Sequence, residues 1–110
     1  MPTTTKEFCQ FLVEQVPEIR TILRNHLDDF SEMLPHVFLG ELTRYVLANG
    51  ASKIRIVELL EENFDRHGPE IENLISVSFV ENLETEIDLE NATTGISSVN
   101  LVNEWRRQKT

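Results

Sequence analysis

The residues that could bind a metal or act as nucleophiles are few in this chain and lie far apart. The three histidines, His26, His36 and His67, show no His-Glu-x-x-His spacing, and Cys9 is the one cysteine. A zinc site would therefore need several distant segments to converge on these side chains. We expect no metal site and no cofactor, and we expect each histidine to lie at the surface or at a helix end.

Cys9 is the candidate nucleophile. It lies between Phe8 and Gln10 in a pattern typical of an amphipathic helix, where a buried and unreactive thiol is the usual state. The sequence has no Gly-x-Ser-x-Gly turn and no glycine-rich phosphate loop. These features predict a protein that is not an enzyme, while a metal-dependent enzyme that uses the abundant carboxylates stays open as an alternative.

Carboxylates are the one reactive group that the chain holds in excess. Nineteen Asp and Glu residues against ten Lys and Arg give a formal charge of −9. Between Glu58 and Glu90, eleven acidic residues accompany a single basic residue, Arg66, so this third of the chain carries −10 and the remainder +1. Such an excess argues against binding to nucleic-acid phosphates or to an anionic membrane surface, and it favours a basic partner.

Two groups of acidic residues have the spacing of a single helix face. The first group stands at positions i, i+3, i+4 and i+7, and the second repeats that spacing: Glu58, Glu61, Glu62 and Asp65, then Glu81, Glu84 and Asp88. Like charges at these offsets destabilise a helix by about 0.2 to 0.5 kcal/mol per pair. Either solubility or recognition of a basic protein surface explains them, and we expect these seven residues to form a partner-binding surface.

Apolar residues at helical spacing predict an all-α protein, a compact single domain over residues 1–110 with five to six helices. Thr4 and Glu7 match a capping box at the first helix, and proline residues mark the starts of later ones. The predicted helices span roughly 4–16, 17–33, 36–49, 52–67 and 69–83, and a sixth begins near 99 after a polar loop at about 91–98.

Two glycines and one alternating apolar run bear on where the helices end and how they pack. Gly50 is expected to cap the third helix in the left-handed conformation. Gly40 lies inside that helix at a cost of about 1 kcal/mol relative to alanine, which indicates a close approach of another helix or a kink. Residues 75–79 also alternate as a strand would, but no partner strand with hairpin turn residues is visible, so a helix is favoured.

Two segments, Leu-Pro-His-Val-Phe-Leu-Gly-Glu-Leu at 34–42 and Asn-Leu-Ile-Ser-Val-Ser-Phe-Val-Glu-Asn-Leu at 73–83, resemble a group of small acidic bacterial immunity proteins. Those proteins protect against contact-dependent growth inhibition and related polymorphic toxins. The resemblance covers roughly residues 5–85 and rests on structural motifs. It implies a cytoplasmic, all-helical protein that binds a toxin domain, often a basic nuclease, and covers its active site. The family shares no binding motif, so the seven carboxylates remain the predicted contacts.

The sequence therefore predicts a cytoplasmic immunity protein that binds as a monomer in a 1:1 complex. The opening residues lead straight into an amphipathic pattern, and no apolar run approaches the ~20 residues of a membrane span. The alternative is a helical adaptor or regulatory domain that binds a protein partner through an apolar groove near Gly40 or Trp105. Salt separates the two hypotheses, because groove binding is nearly indifferent to ionic strength and charge-steered binding is not.

Overall fold

The first helix begins where the sequence predicts it. The Thr4 hydroxyl oxygen accepts the Glu7 N–H at 3.1 Å, and the Glu7 carboxylate accepts the Thr4 N–H at 3.1 Å. This reciprocal pair satisfies two N–H groups that a helix start otherwise leaves without partners.

The computed structural model describes residues 2–110, and all of the regular secondary structure among them is helical. Its seven α-helices are α1 Thr5–Gln15, α2 Arg20–Phe30, α3 Pro35–Leu47, α4 Lys53–Asn63, α5 Pro69–Ile75, α6 Glu86–Thr93 and α7 Val99–Lys109. A 3₁₀ turn, Pro17–Ile19, precedes α2, and a π-helical segment, Ser76–Val80, extends α5. The all-α prediction is confirmed, and the alternating run at 75–79 is helical.

The prediction of five to six helices missed α6. Thr85 begins this helix with a second capping box, in which its hydroxyl accepts the Asp88 N–H at 3.1 Å and the Asp88 carboxylate accepts the Thr85 N–H at 3.3 Å. Because α6 runs to Thr93, the first part of the loop expected at about 91–98 is the last turn of a helix.

Several helix ends also differ from the prediction. The α2 helix ends at Phe30, where Ser31 takes the left-handed conformation, and α4 ends at Asn63 instead of His67. At the end of α3, Asn49 and not Gly50 has the positive φ angle, 60°. Gly50 is needed for space instead, since a Cβ atom there would lie 2.3 Å from the Tyr45 ring.

Gly40 lies within the uninterrupted α3 helix. A Cβ atom at this position would lie 3.7 Å from the Asn82 Nδ2 atom, which is an ordinary van der Waals contact. Of the two explanations expected for Gly40, a close approach of another helix or a kink, the first does not hold, because a side-chain methyl group would fit there.

A single hydrophobic cluster holds the helices together. Phe8 of α1, Phe38 of α3 and Phe79 of the π-helical segment are fully buried in it. Truncating a buried phenylalanine to alanine typically costs about 3 to 5 kcal/mol, so these rings dominate the stability of the core. Trp105 of α7 packs against the cluster, as predicted, and its Nε1–H donates to the Leu83 carbonyl oxygen.

The π-helical segment packs against α3, α5 and α7 at the centre of the fold. Its Ser78 carbonyl oxygen accepts the Thr43 hydroxyl at 3.0 Å and the Asn82 side-chain amide at 2.8 Å. The Glu81 N–H reaches back five residues to the Ser76 carbonyl at 2.9 Å. Side chains thus satisfy a carbonyl that a regular helix would give to the backbone, and the widened turn ends the helix at Val80.

None of the helices within residues 2–110 combines the length and the apolar character needed to cross a lipid bilayer.

Candidate functional site

The four acidic residues assigned to α4 have different environments. Glu58 and Glu61 are half-buried, while Glu62 and Asp65 are exposed. Because α4 ends at Asn63, Asp65 lies in the turn that follows the helix. Three of the four predicted residues therefore lie on α4, and the two exposed ones, Glu62 and Asp65, lie at and just beyond its C-terminal end.

Glu61 has a structural role that its spacing did not reveal. Its carboxylate oxygens accept the backbone N–H groups of Asn100 and Leu101, each at 3.0 Å. These N–H groups belong to the first turn of α7, where the side chain of Ser98 provides no cap. A negative charge at this end of a helix is also favoured by the helix dipole. Glu61 thus joins α4 to α7, and we assign it a structural role.

The predicted second stripe is not a helix face. The π-helical segment ends at Val80, so Glu81 follows it, Glu84 lies in the connection, and Asp88 is the third residue of α6. Asp88 caps α6 and also accepts the Glu84 N–H at 3.1 Å. The prediction failed because the i, i+3 and i+7 spacing was extended across a helix boundary.

The three residues of this second group open onto two cavities. Glu81 lines a groove of about 690 Å³ between α5 and α7, where Glu104 and Arg107 also lie. Glu84 and Asp88 line a cavity of about 370 Å³ beside α3, together with Arg44. Glu81 therefore borders a different cavity from Glu84 and Asp88.

None of the seven carboxylates is paired with a lysine or arginine within residues 2–110. The ion pairs in that part of the chain join His26 to Glu41 and Arg107 to Glu104. Four of the seven also accept no hydrogen bond there and are exposed; we call them the exposed carboxylates: Glu62, Asp65, Glu81 and Glu84. Their negative charge is thus available to a partner.

Both places suggested for an apolar groove have mixed polar and apolar linings. The cavity beside Gly40 is lined by Thr43, Arg44, Asn82, Glu84 and Asp88, with Leu47 as its apolar side chain. Close to Trp105, the groove between α5 and α7 holds an ion pair, in which a hydrogen bond from Arg107 lowers the pKa of Glu104. Charged side chains therefore line both cavities beside apolar ones.

His26 is buried, contrary to the expectation that it lies at the surface. Its ring is 1% exposed and packs against Phe30 and Phe38. The Leu34 N–H donates to Nε2 at 3.0 Å, so Nδ1 carries the proton and donates to the Glu41 carboxylate at 2.8 Å. Both ring nitrogens are occupied, and the histidine ties α2 to the start of α3.

The other two histidines also make internal contacts. His36 Nδ1 lies 2.7 Å from the Ser78 hydroxyl oxygen, and His67 Nε2 lies 2.7 Å from the Asn63 side-chain oxygen. A serine beside a histidine is the beginning of a nucleophilic site, but Ser78 is buried and no acidic residue within 2–110 bonds the His36 ring. We read the Ser78–His36 pair as a link between α3 and the π-helical segment.

The metal-binding groups are scattered in the folded chain. Among residues 2–110, no three His, Cys, Asp or Glu side chains lie close enough together to hold a metal ion.

The Cys9 thiol is fully buried, and burial raises its pKa from 9.0 to about 12. We predict that iodoacetamide labels it only when the chain unfolds, because the thiolate is the reactive form. The unfolded thiol ionises near pH 9 and the folded thiol near pH 12, so this group's contribution to stability is complete below pH 9 and is lost as pH rises towards 12. Labelling of the native chain at the rate seen in denaturant would contradict this assignment.

Comparison with known proteins identifies a family of unknown function. No curated protein matches the chain, and no solved structure matches it. A family model described as a domain of unknown function, DUF7674, matches residues 9–109, from α1 to the end of α7. The match covers nearly the whole chain and all but the first turn of the helical fold, so the protein belongs to the DUF7674 family.

Proposed function

We propose that the chain is an immunity protein that binds a basic toxin domain, a nuclease, and covers the active site of that domain. The exposed carboxylates Glu62, Asp65, Glu81 and Glu84 are the proposed contacts, with half-buried Glu58 at their margin. The observation that carries the proposal is that these four side chains are exposed and engage no cation within residues 2–110.

Carboxylates that are exposed and have no internal partner are suited to recognising a basic surface. No internal hydrogen bond has to break before they meet an incoming lysine or arginine, so the pairing energy is not spent on rearranging the chain. Arginine can bind a carboxylate through two parallel hydrogen bonds, which adds geometric specificity. A nuclease presents such cations where it holds phosphates, and blocking them blocks its substrate.

Glu61 and Asp88 support this surface from within. Glu61 fixes the end of α4 against α7, and Asp88 fixes the start of α6 beside Glu84. Contacts held by a rigid scaffold lose less conformational entropy on binding than contacts on a mobile loop. We therefore divide the seven predicted residues into contacts and positioning residues.

The identity of the partner as a toxin rests on the sequence resemblance. The two segments that carry it, 34–42 and 73–83, fall at the start of α3 and across α5 with the π-helical segment. Many of their side chains lie in the core, among them Phe38, Leu42, Leu74 and Phe79. The resemblance thus supports a shared fold. With it we propose a cytoplasmic protein that binds its partner without catalysing a reaction. The exposed carboxylates supply the proposed contacts.

The test is inhibition of a toxin domain encoded directly beside this chain's gene. We expect its nuclease activity to fall in proportion to added chain and to vanish at one chain per toxin domain. A toxin domain that stays fully active in an excess of chain would contradict the proposal. So would a neighbouring toxin domain with an acidic surface, since it could not pair with these carboxylates.

A further inference from the structure

A groove of about 500 Å³ lies between α6 and α7. Both helices pack against α4, while α6 also contacts α3 and α7 also contacts the π-helical segment. Apolar side chains from both helices line the groove: Ile87 and Leu89 of α6 and Val102 of α7. A cleft of this volume has room for side chains of another molecule.

Large apolar side chains are exposed at this groove. Ile87 is 66% exposed, more than any other large apolar side chain within residues 2–110. Val99 is 63% exposed and stands three residues before Val102, on the same side of α7. Apolar groups that gather in the open beside a cleft mark a surface for association with another protein.

The charges on the α6 wall indicate what covers the groove. Glu86 and Glu90 line this wall, and both are exposed. Neither is in an ion pair within residues 2–110. They stand at i and i+4, where like charges repel, and Glu90 lies in the last turn of α6, where the helix dipole disfavours a carboxylate. Because a cation from a partner would relieve both effects, the charges favour a partner that is basic where it meets α6.

Arg106 carries the opposing charge on the α7 wall. Its guanidinium is exposed and is in no ion pair with another described residue. Two carboxylates and one guanidinium leave the groove with a charge of −1, so a basic partner is attracted and Arg106 weakens the attraction. Removing the charge of Arg106 should therefore strengthen the binding of a basic partner.

The groove continues the surface of the exposed carboxylates. Glu84 stands three residues before Ile87, so their Cα atoms are at most about 11 Å apart. Specific protein interfaces combine an apolar centre that excludes water with a polar rim. Ile87 has the position of such a centre, and Glu84, Glu86 and Glu90 have the positions of its rim.

We propose that Ile87 and the groove beside it are the apolar anchor of the toxin contact. The occupant is a segment of the toxin domain whose apolar side chain enters the groove against Ile87 and Val102. Lysine or arginine residues beside that side chain pair with Glu86 and Glu90. The inference rests on the proposed function and assigns separate roles within it: the carboxylates govern the rate constant of association, and the anchor governs that of dissociation.

Truncation of Ile87 tests the anchor, with the toxin domain encoded beside this chain's gene as the probe. We expect Ile87→Ala to raise the dissociation rate constant about 10-fold and to change the association rate constant by less than about twofold. Surface plasmon resonance measures both. Leu27→Ala is the matched control, since Leu27 is 40% exposed on α2, which packs against the 3₁₀ turn and α3. It should leave both rate constants unchanged.

Removal of charge tests the basic character of the occupant. At about 0.15 M salt, where the Debye length is about 8 Å, E86Q/E90Q should lower the association rate constant several-fold and Arg106→Gln should raise it. The control E14Q/E32Q removes the same charge from exposed positions on α1 and after α2, and it should lower the rate constant less.

The outcomes separate the anchor from the proposed function. A wild-type chain that does not inhibit the toxin domain overturns both. If the wild type inhibits and Ile87→Ala dissociates no faster than Leu27→Ala, the anchor alone is overturned. It is also overturned if Arg106→Gln associates more slowly than the wild type, or if E14Q/E32Q slows association as much as E86Q/E90Q.

Discussion

We expect reversal of Glu62 and Asp65 to lysine to lower the rate constant of association with the proposed basic toxin domain by about 10- to 100-fold at low salt. Both side chains are exposed and make no hydrogen bond or ion pair within residues 2–110. The double variant E62K/D65K therefore changes the field at the end of α4 without removing a contact that holds the fold. Stopped-flow fluorescence of the complex at low ionic strength measures the effect.

The control keeps the change in net charge and moves it elsewhere. Glu14 of α1 and Glu32 after α2 are also exposed, so the variant E14K/E32K alters the total charge equally. We expect its association rate constant to fall by no more than about threefold when both double variants are compared at about 0.15 M salt, where the Debye length is about 8 Å and charges farther than that from the contact are screened. Equal effects of the two double variants would show that total charge, and not the end of α4, governs association.

Replacement of Glu61 by alanine lowers the free energy of unfolding by about 2 to 3 kcal/mol. The carboxylate accepts two backbone N–H groups in the first turn of α7. Both lose their partner in the variant, and the favourable charge at the positive end of the helix is lost with them. Urea unfolding followed by far-ultraviolet circular dichroism measures the change.

The neighbouring glutamate is the matched control for this prediction. Glu62→Ala removes the same chemical group one residue away, from an exposed position, and should change the free energy of unfolding by at most about 0.5 kcal/mol. Glu61→Gln keeps one side-chain oxygen as acceptor and should fall between wild type and Glu61→Ala. If Glu61→Ala and Glu62→Ala unfold alike, Glu61 is not the cap of α7.

Most helix starts were predictable because their signals are local. The Thr4 and Glu7 capping box and the proline at position 69 each act within one turn of the chain. The start of α6 carries an equally local signal, Thr85 three residues before Asp88. It was missed because the acidic spacing from Glu81 to Asp88 was read as one continuous helix face.

The π-helical segment and the helix that it ends were not predictable in the same way. The Thr43 hydroxyl that bonds the Ser78 carbonyl lies 35 residues earlier in the chain, on α3. Periodicity within 69–83 contains no information about that partner, so the sequence suggested a helix that continued towards Leu83. The position of the break depends on how α3 packs against the segment.

In the candidate site, too, the features that depend on residue type alone were predictable, and those that depend on distant elements were not. Exposure of Glu62, Asp65, Glu81 and Glu84 agrees with the expectation that acidic residues face solvent. The roles of Glu61 and His26 depend on partners in other elements, the first turn of α7 and Glu41 of α3. Residue type and spacing identify a carboxylate or an imidazole, but the packing of the helices determines whether its side chain bonds within the chain or faces solvent.

The salt dependence of association between the wild-type chain and the proposed toxin domain is the decisive measurement. If exposed carboxylates draw the chain onto a basic surface, the association rate constant should fall by about 10-fold or more as the salt concentration rises from about 0.05 M to 0.5 M. A rate constant that stays the same over that range would contradict recognition by the exposed carboxylates.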